Sequence, residues 1–335
     1  MNVLSNSELV LMESLVGVTQ ETLRGILYKF LKKHYKNVTF DTDFLVAEGD
    51  IPIALIAHMD TVFKQPASEV FYDRKKNVMW SPTGLGADDR AGVYAIIQII
   101  NAGYRPHIIF TTDEEKGCLG ARTLSYLPCP FKDLRYMVQL DRRNSNDCVF
   151  YDCANDEFEK YIESFGFVTA WGSFTDICEL APYWGVAAVN LSIGYRDEHS
   201  TSEILFVGQM LDTIEKVKKM LSVKNPPAFQ YMENPHYFYG FDYGYEYGDF
   251  DYGKFLTKDS VKYRCHKCKM GFPGDEVIEV KLVKGGKAFF CVDCLMDGVD
   301  WCKSCGEAYE INPDKPYERL CRDCQKREYD RLKEN

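Results

Sequence analysis

The chain is expected to fold as a three-layer α/β sandwich followed by a small cysteine-rich module. Three observations carry that expectation. Short apolar runs of strand length alternate with helical patterns through residues 1 to about 225. Five acidic or histidine clusters each follow one of those runs, or sit in the loop just after it. Eight of the thirteen cysteines form four Cys-x2-Cys pairs beyond residue 259.

The elements follow in order. Leu9 to Lys33 reads as two short amphipathic helices, with Thr19 and Thr22 as candidate caps. Val38 to Glu48 and Ile51 to Ala57 read as strands, and the second is so apolar that it belongs at the centre of a sheet. Gly92 to Ala102 is an apolar helix. His107 to Thr112, Tyr136 to Leu140 and Ala187 to Ile193 are further short strands. Between them, Cys148 to Cys153 fits a strand and Asp156 to Phe165 a short helix. Leu205 to Leu221 is an amphipathic closing helix. Pro226-Pro227 then opens a stretch rich in Tyr, Gly and Asp, read as a linker over 226–258 with no helical period. The cysteine module occupies 259–335.

Composition narrows the function classes. With 335 residues and 46 % hydrophobic content, the chain can bury a large core. A net charge of −10 argues against nucleic-acid binding by the chain as a whole. Acidic residues within the Tyr-rich stretch oppose it there too. No run of 18 apolar residues is present, so no membrane span is expected. The N-terminus lacks a basic region before its apolar stretch and does not read as a signal peptide. Five scattered cysteines outside the pairs (Cys118, Cys129, Cys148, Cys153 and Cys178) suit a reducing, cytoplasmic compartment.

The five clusters are His58-Met59-Asp60-Thr61, Asp88-Asp89-Arg90-Ala91-Gly92, Asp113-Glu114-Glu115, Gln139-Leu140-Asp141 and Glu198-His199-Ser200. In open α/β sheets, sites form at the carboxyl ends of strands, so clusters far apart in sequence can converge. A lone histidine at a strand end is usually a polar surface residue, and an Asp-Glu-Glu run is usually a solvated loop. Five such clusters, holding two of only six histidines, argue for a metal site. A zinc pair needs nitrogen and oxygen ligands, a shared carboxylate and an open position. His58 can supply an imidazole, and Asp60 can hold its second nitrogen. Asp88 or Asp89 can bridge. Of Glu114 and Glu115, one can bind metal while the other stays free as a base. Asp141 and His199 complete two three-ligand sets.

The segments IALIAHMDTV, GLGADDRAG, FTTDEEKGCLGA, VQLD and DEHSTSE resemble the motifs of the co-catalytic zinc exopeptidase superfamily, closest to tripeptidase T and related aminopeptidases and carboxypeptidases. The resemblance covers roughly residues 5–222, in the family's order. It implies a sandwich with a mixed central sheet and two catalytic zinc ions. It implies that His58, Asp88 and Asp141 hold one zinc, and that Asp88, Glu115 and His199 hold the other. Glu114 would be general base and then general acid, Asp60 would orient His58, and the Asp88–Asp89 peptide would be cis. Gly172 to Asp176 resembles a turn that lies near the family's substrate pocket.

The chain departs from that pattern in its size. Only 34 residues lie between Asp141 and Asp176, where tripeptidase T inserts a separate lid domain. With no lid to grip a terminal carboxylate, the expected reaction is aminopeptidase-like cleavage of a short peptide or aminoacyl amide. N-acyl amidohydrolase or deacylase action, carboxypeptidase action, and a non-catalytic zinc-binding adaptor are the alternatives. The acidic Asp89, Asp113 and Asp176 near the motifs favour a substrate amine, so N-acetylation is expected to abolish cleavage and C-terminal amidation to matter little.

The cysteine pattern is C-x2-C-x22-C-x2-C-x7-C-x2-C-x15-C-x2-C. Four thiolates close one tetrahedral zinc site, so eight make two structural sites. Sequential pairing would group Cys265, Cys268, Cys291 and Cys294, then Cys302, Cys305, Cys321 and Cys324; cross-braced pairing is the alternative. Hairpins are expected over Val277 to Phe290 and Tyr309 to Leu320, in the manner of treble-clef or zinc-ribbon modules. So small a module needs its metals to fold. Its expected partner is a protein or a nucleic acid, and Lys and Arg gather near Lys262 to Lys269 and Lys281 to Lys287.

Overall fold

The structure is a computed structural model that describes residues 3–233 and, beyond them, six short strands. The chain divides into two compact units, Met1–Tyr239 and Gly240–Asn335.

The first unit is built on an eight-stranded mixed sheet. Its strands are β1 (Asn37–Phe40), β2 (Phe44–Glu48), β3 (Ile51–His58), β6 (Pro106–Thr111), β7 (Tyr136–Arg142), β8 (Asp147–Val149), β9 (Val168–Thr169) and β10 (Ala188–Ser192). Their spatial order is β1-β2-β6-β3-β7-β10-β8-β9. The four middle strands β6, β3, β7 and β10 run parallel, while β2 and β8 join them antiparallel. A parallel centre must be covered on both faces, which is why these strands are nearly all apolar. β3 shows the alternation directly. Ile53, Leu55 and Ala57 enter one core, while Ala54 and Ile56 enter the other. Helices α1 (Asn6–Val16), α2 (Gln20–His34), α3 (Ala87–Asn101), α5 (Asp156–Glu163) and α7 (Val207–Leu221) cover the first face. Helices α4 (Leu119–Ser125) and α6 (Asp176–Trp184) cover the second. The expected three layers and mixed sheet are therefore present. A second, antiparallel sheet of β11 (Tyr195–Arg196), β12 (Ile204–Phe206), β5 (Val78–Trp80) and β4 (Phe71–Asp73) stands apart from the first.

Local differences from the sequence reading have local causes. Val38 to Glu48 is a hairpin, not one strand, because the Asp41 carboxylate accepts from the Asp43 N–H and turns the chain. Ser5 caps α1 in a capping box with Glu8. Thr19 caps α2, whereas Thr22 is the residue whose N–H it receives. Helix α3 begins at Ala87 and so takes in Asp88 and Asp89, whose peptide bond is cis as expected. Gly92 permits this packing, because a Cβ there would lie 2.3 Å from the Leu140 carbonyl oxygen. Arg90 is buried and donates to the Leu15 and Val18 carbonyls, tying α3 to the α1–α2 corner. The start of the Pro226–Glu233 stretch also packs on this unit. Phe229 is buried, the Ala187 N–H donates to its carbonyl, and Gln230 bridges to Val186.

In the second unit the expected hairpin is present, with Val277–Lys281 pairing antiparallel to Lys287–Cys291. Tyr263–Arg264 pairs with Gly271–Phe272, and Val299–Trp301 with Ala308–Glu310. In sequence, these two pairs bracket Cys265-x2-Cys268 and Cys302-x2-Cys305. The expected Tyr309–Leu320 hairpin lies almost wholly outside the described residues. So do the side chains of all eight paired cysteines; for Cys291 only the backbone is described.

Candidate metal centre and substrate cavity

Parallel pairing aligns the carboxyl ends of three neighbouring strands. His58 is the last residue of β3 and pairs with Thr111, the last of β6. Asp113, Glu114 and Glu115 follow Thr111 after a single residue, Thr112, and Asp141 lies at the end of β7. His199 comes from the loop between β11 and β12, in a left-handed conformation at φ 62.

These residues meet. The His58 Nε2 lies 3.1 Å from Asp88 Oδ1 and 3.5 Å from Asp141 Oδ1. The His199 Nε2 lies 3.1 Å from Asp88 Oδ2 and 3.0 Å from Glu115 Oε2. Asp88 thus turns one oxygen to each imidazole. His58, Asp88 and Asp141 form one set able to hold a metal ion; Asp88, Glu115 and His199 form another. The donors suit zinc, which takes nitrogen and carboxylate ligands together. Glu115 Oε1 is buried with no hydrogen-bond partner, as a carboxylate prepared for a cation would be.

The surrounding bonds fix the donors. Asp60 Oδ1 lies 3.1 Å from His58 Nδ1 and also accepts from the Glu114 N–H at 3.0 Å, while Oδ2 accepts from the Glu115 N–H at 3.1 Å. One carboxylate thereby ties the β3 imidazole to the loop after β6. Burial pushes the Asp60 carboxyl up, but the His58 hydrogen bond and charge and the two amide donors outweigh it and hold the group below its ordinary range. Asp141 is held by the Tyr195 hydroxyl at 3.0 Å, the Gln139 amide at 3.0 Å and the Thr175 hydroxyl at 2.8 Å. Glu203 is fully buried and accepts from the Gly86 and Asp88 N–H groups at 2.5 and 2.9 Å, beneath the Asp88 loop.

The ionisable groups of the cluster shift one another. Burial pushes the Asp141 carboxyl up to about 6, with the Asp88 charge adding and His58 opposing. Hydrogen bonds that the His199 imidazole donates to the Asp88 and Glu115 carboxylates raise it to about 11. His58 is raised too: burial lowers it, but Asp141, Asp60 and Asp88 together prevail. The carboxylates around the two imidazoles thus favour their protonated forms. Metal ligation requires those protons to leave.

Glu114 stands beside both sets and belongs to neither. It is half-buried, and its Oε1 lies 3.6 Å from the Cys118 Sγ. Burial raises its carboxyl well above the ordinary value, with the Asp141, Asp176 and Asp88 charges adding and His58 opposing. Glu114 lines a cavity of about 340 Å³ together with Asp88, Glu115, Asp141 and His199, and Trp171, Gly172, Ser173, Phe174 and Thr175 close another side.

Other expectations are corrected here. Asp89 and Asp176 are fully buried and do not face the cavity. Asp89 accepts from the His58 and Gly92 N–H groups, and Asp176 from the Thr111 hydroxyl. Asp113 is taken up by Lys116 and Gln20. None of the three is available to a substrate amine. Arg142 and Arg143, which the sequence reading did not single out, also line the cavity.

Residues 45–166 match the profile of Peptidase family M28. The chain carries a metallo-exopeptidase hydrolase domain. The matched stretch runs from β2 to just past α5 and contains His58, Asp60, Asp88, Glu114, Glu115 and Asp141. The hydrolase fold also resembles solved structures. A tripeptidase from Staphylococcus aureus subsp. aureus mu50 superposes with a TM-score of 0.54 at 14 % identity, over 66 % of this chain and 98 % of that one. A TET aminopeptidase from the marine sediment archaeon Thaumarchaeota archaeon SCGC AB-539-E09 superposes with a TM-score of 0.50 at 12 % identity, over 64 % of this chain and 97 % of that one. A search of curated proteins finds no significant match. Among the described residues of the hydrolase domain, no helix is long and apolar enough to cross a membrane.

Proposed function

We propose that the chain is a two-zinc, aminopeptidase-like hydrolase that removes the N-terminal residue of a short peptide or aminoacyl amide. The carrying observation is the pair of donor sets joined at Asp88, with the Glu114 carboxylate free beside them. A cavity of about 340 Å³ lies at the small end of ligand sites and suits a short substrate. The names of the structural neighbours, a tripeptidase and an aminopeptidase, point the same way.

His58, Asp88 and Asp141 hold one zinc in this reading, and Asp88, Glu115 and His199 the other. When bound, zinc supplies Lewis acidity to the scissile carbonyl and makes water a better acid. Glu114 takes a proton from the attacking water, and its raised carboxyl can pass that proton to the leaving amine. Asp60 holds His58 in one orientation through Nδ1. Tyr195 and Thr175 keep Asp141 turned toward His58. The cysteine module holds two further structural zinc ions and serves to recruit a protein or nucleic acid. Its support is the cysteine spacing and the two strand pairs that bracket a Cys-x2-Cys.

Matched peptides with a free or an acetylated N-terminus test the reading on the zinc-loaded protein. Acetylation is expected to abolish cleavage, measured by release of the first residue. Cleavage of acetylated peptides that requires a free carboxylate would instead assign a carboxypeptidase or deacylase.

A further inference from the structure

Arg142 occupies a position that an ordinary strand would not give it. Successive residues of a strand point to opposite faces, so Asp141 and Arg142 should diverge. Both line the same cavity. The pairing of β7 with β10 explains this. Asn190 pairs with Gln139, but Ser192 pairs with Arg142, and the register shifts between them. Such irregularities re-aim side chains beside active sites.

The guanidinium is built into the cavity wall but left unneutralised. Its Nη2 donates to the Trp171 carbonyl at 2.7 Å. Its Nη1 lies over Gly172, where a Cβ would come within 3.3 Å of it and 2.9 Å of the Val149 side chain. Its Nε is buried with no hydrogen-bond partner. Among the described residues, no carboxylate lies within ion-pair distance of Arg142. The neighbouring Arg143 differs, since Glu198 Oε1 holds it at 3.0 Å. A planar donor fork matches a carboxylate, the anionic group a peptide carries.

We propose that Arg142, turned into the cavity by the β7–β10 irregularity and seated over Gly172, forms a subsite for a carboxylate of the peptide substrate. The carboxylate can be the C-terminus of a short peptide or an acidic side chain beyond the scissile bond. In the first case the subsite reads peptide length. In the second it reads sequence. Either role replaces the missing lid with a residue of the sheet itself. The proposal rests on the peptidase reading of the same cavity, and the two can fail separately.

Binding is measured by calorimetry in the zinc-loaded Glu114→Gln protein, so that no turnover is needed. One pair of ligands is a tripeptide and its C-terminal amide. The other is an amidated tripeptide with Glu or Gln at the second position. In one pair, the carboxylate-bearing member is expected to bind about 10- to 100-fold tighter, the usual range for a charge-assisted contact. Adding Arg142→Gln is expected to erase the difference, and Arg142→Lys to keep part of it, with thermal unfolding confirming that both variants fold. The terminal pair responding would assign the C-terminus and reverse the sequence-based expectation about amidation. The Glu/Gln pair responding would assign a side chain. Equal affinities within both pairs, no measurable binding, or a preference that survives Arg142→Gln overturns the subsite. Wild-type cleavage without charge preference would do so while leaving the peptidase reading intact. Charge-dependent binding without cleavage would do the reverse.

Discussion

Glu114→Gln is expected to cut turnover at least about a hundredfold, the usual worth of general acid-base catalysis, while leaving zinc content unchanged. The substitution keeps shape and volume and removes the titrating oxygen. Glu114 lies outside both donor sets, so no metal ligand is lost. Its N–H bond to Asp60 is made by the backbone and survives the change. Steady-state kinetics and elemental analysis on the same preparation check the result. Near-normal turnover would remove Glu114 from proton transfer, whereas loss of zinc would make it a ligand.

Asp88→Ala is expected to cost more. Asp88 gives one oxygen to each donor set, so a single change weakens both. The wild-type chain should carry four zinc ions after reconstitution, and Asp88→Ala should keep only the two of the cysteine module. Turnover should fall about a thousandfold or more, because several kcal/mol of transition-state stabilisation leave with the metals. Elemental analysis reads the count. A variant that retains all four metals would show that Asp88 does not join the sites, and a wild-type count of two or fewer would refute the assignment of two plus two.

The residues gathered at the centre were legible because their chemistry is rare and their places are regular. His58, Glu115, Asp141 and His199 each stand at a strand end or in a segment beside one, Asp88 stands in the first turn of α3, and the parallel order of β6, β3 and β7 then brings most of them together. The cis peptide at Asp88–Asp89 was legible only through the family resemblance. What escaped has a common cause. Glu203 and Tyr195 are single polar residues in apolar or loop contexts, and they matter only through contacts far away in sequence. Asp89 and Asp176 looked available because their number was visible and their direction was not. Both are buried away from the cavity: N–H groups take both oxygens of Asp89, and the Thr111 hydroxyl takes Oδ2 of Asp176. Arg142 escaped for the converse reason. Strand alternation predicts that it points away from Asp141, and only the register shift opposite Asn190 and Ser192 brings it back.

The central claim is a pair of metals joined by one carboxylate. Diffraction from zinc-loaded crystals at the zinc absorption edge tests it most directly. The expected map holds two anomalous peaks in the cavity, one between His58 and Asp141, the other between Glu115 and His199, with Asp88 touching both. A single peak, or two peaks of which only one contacts Asp88, would contradict the account.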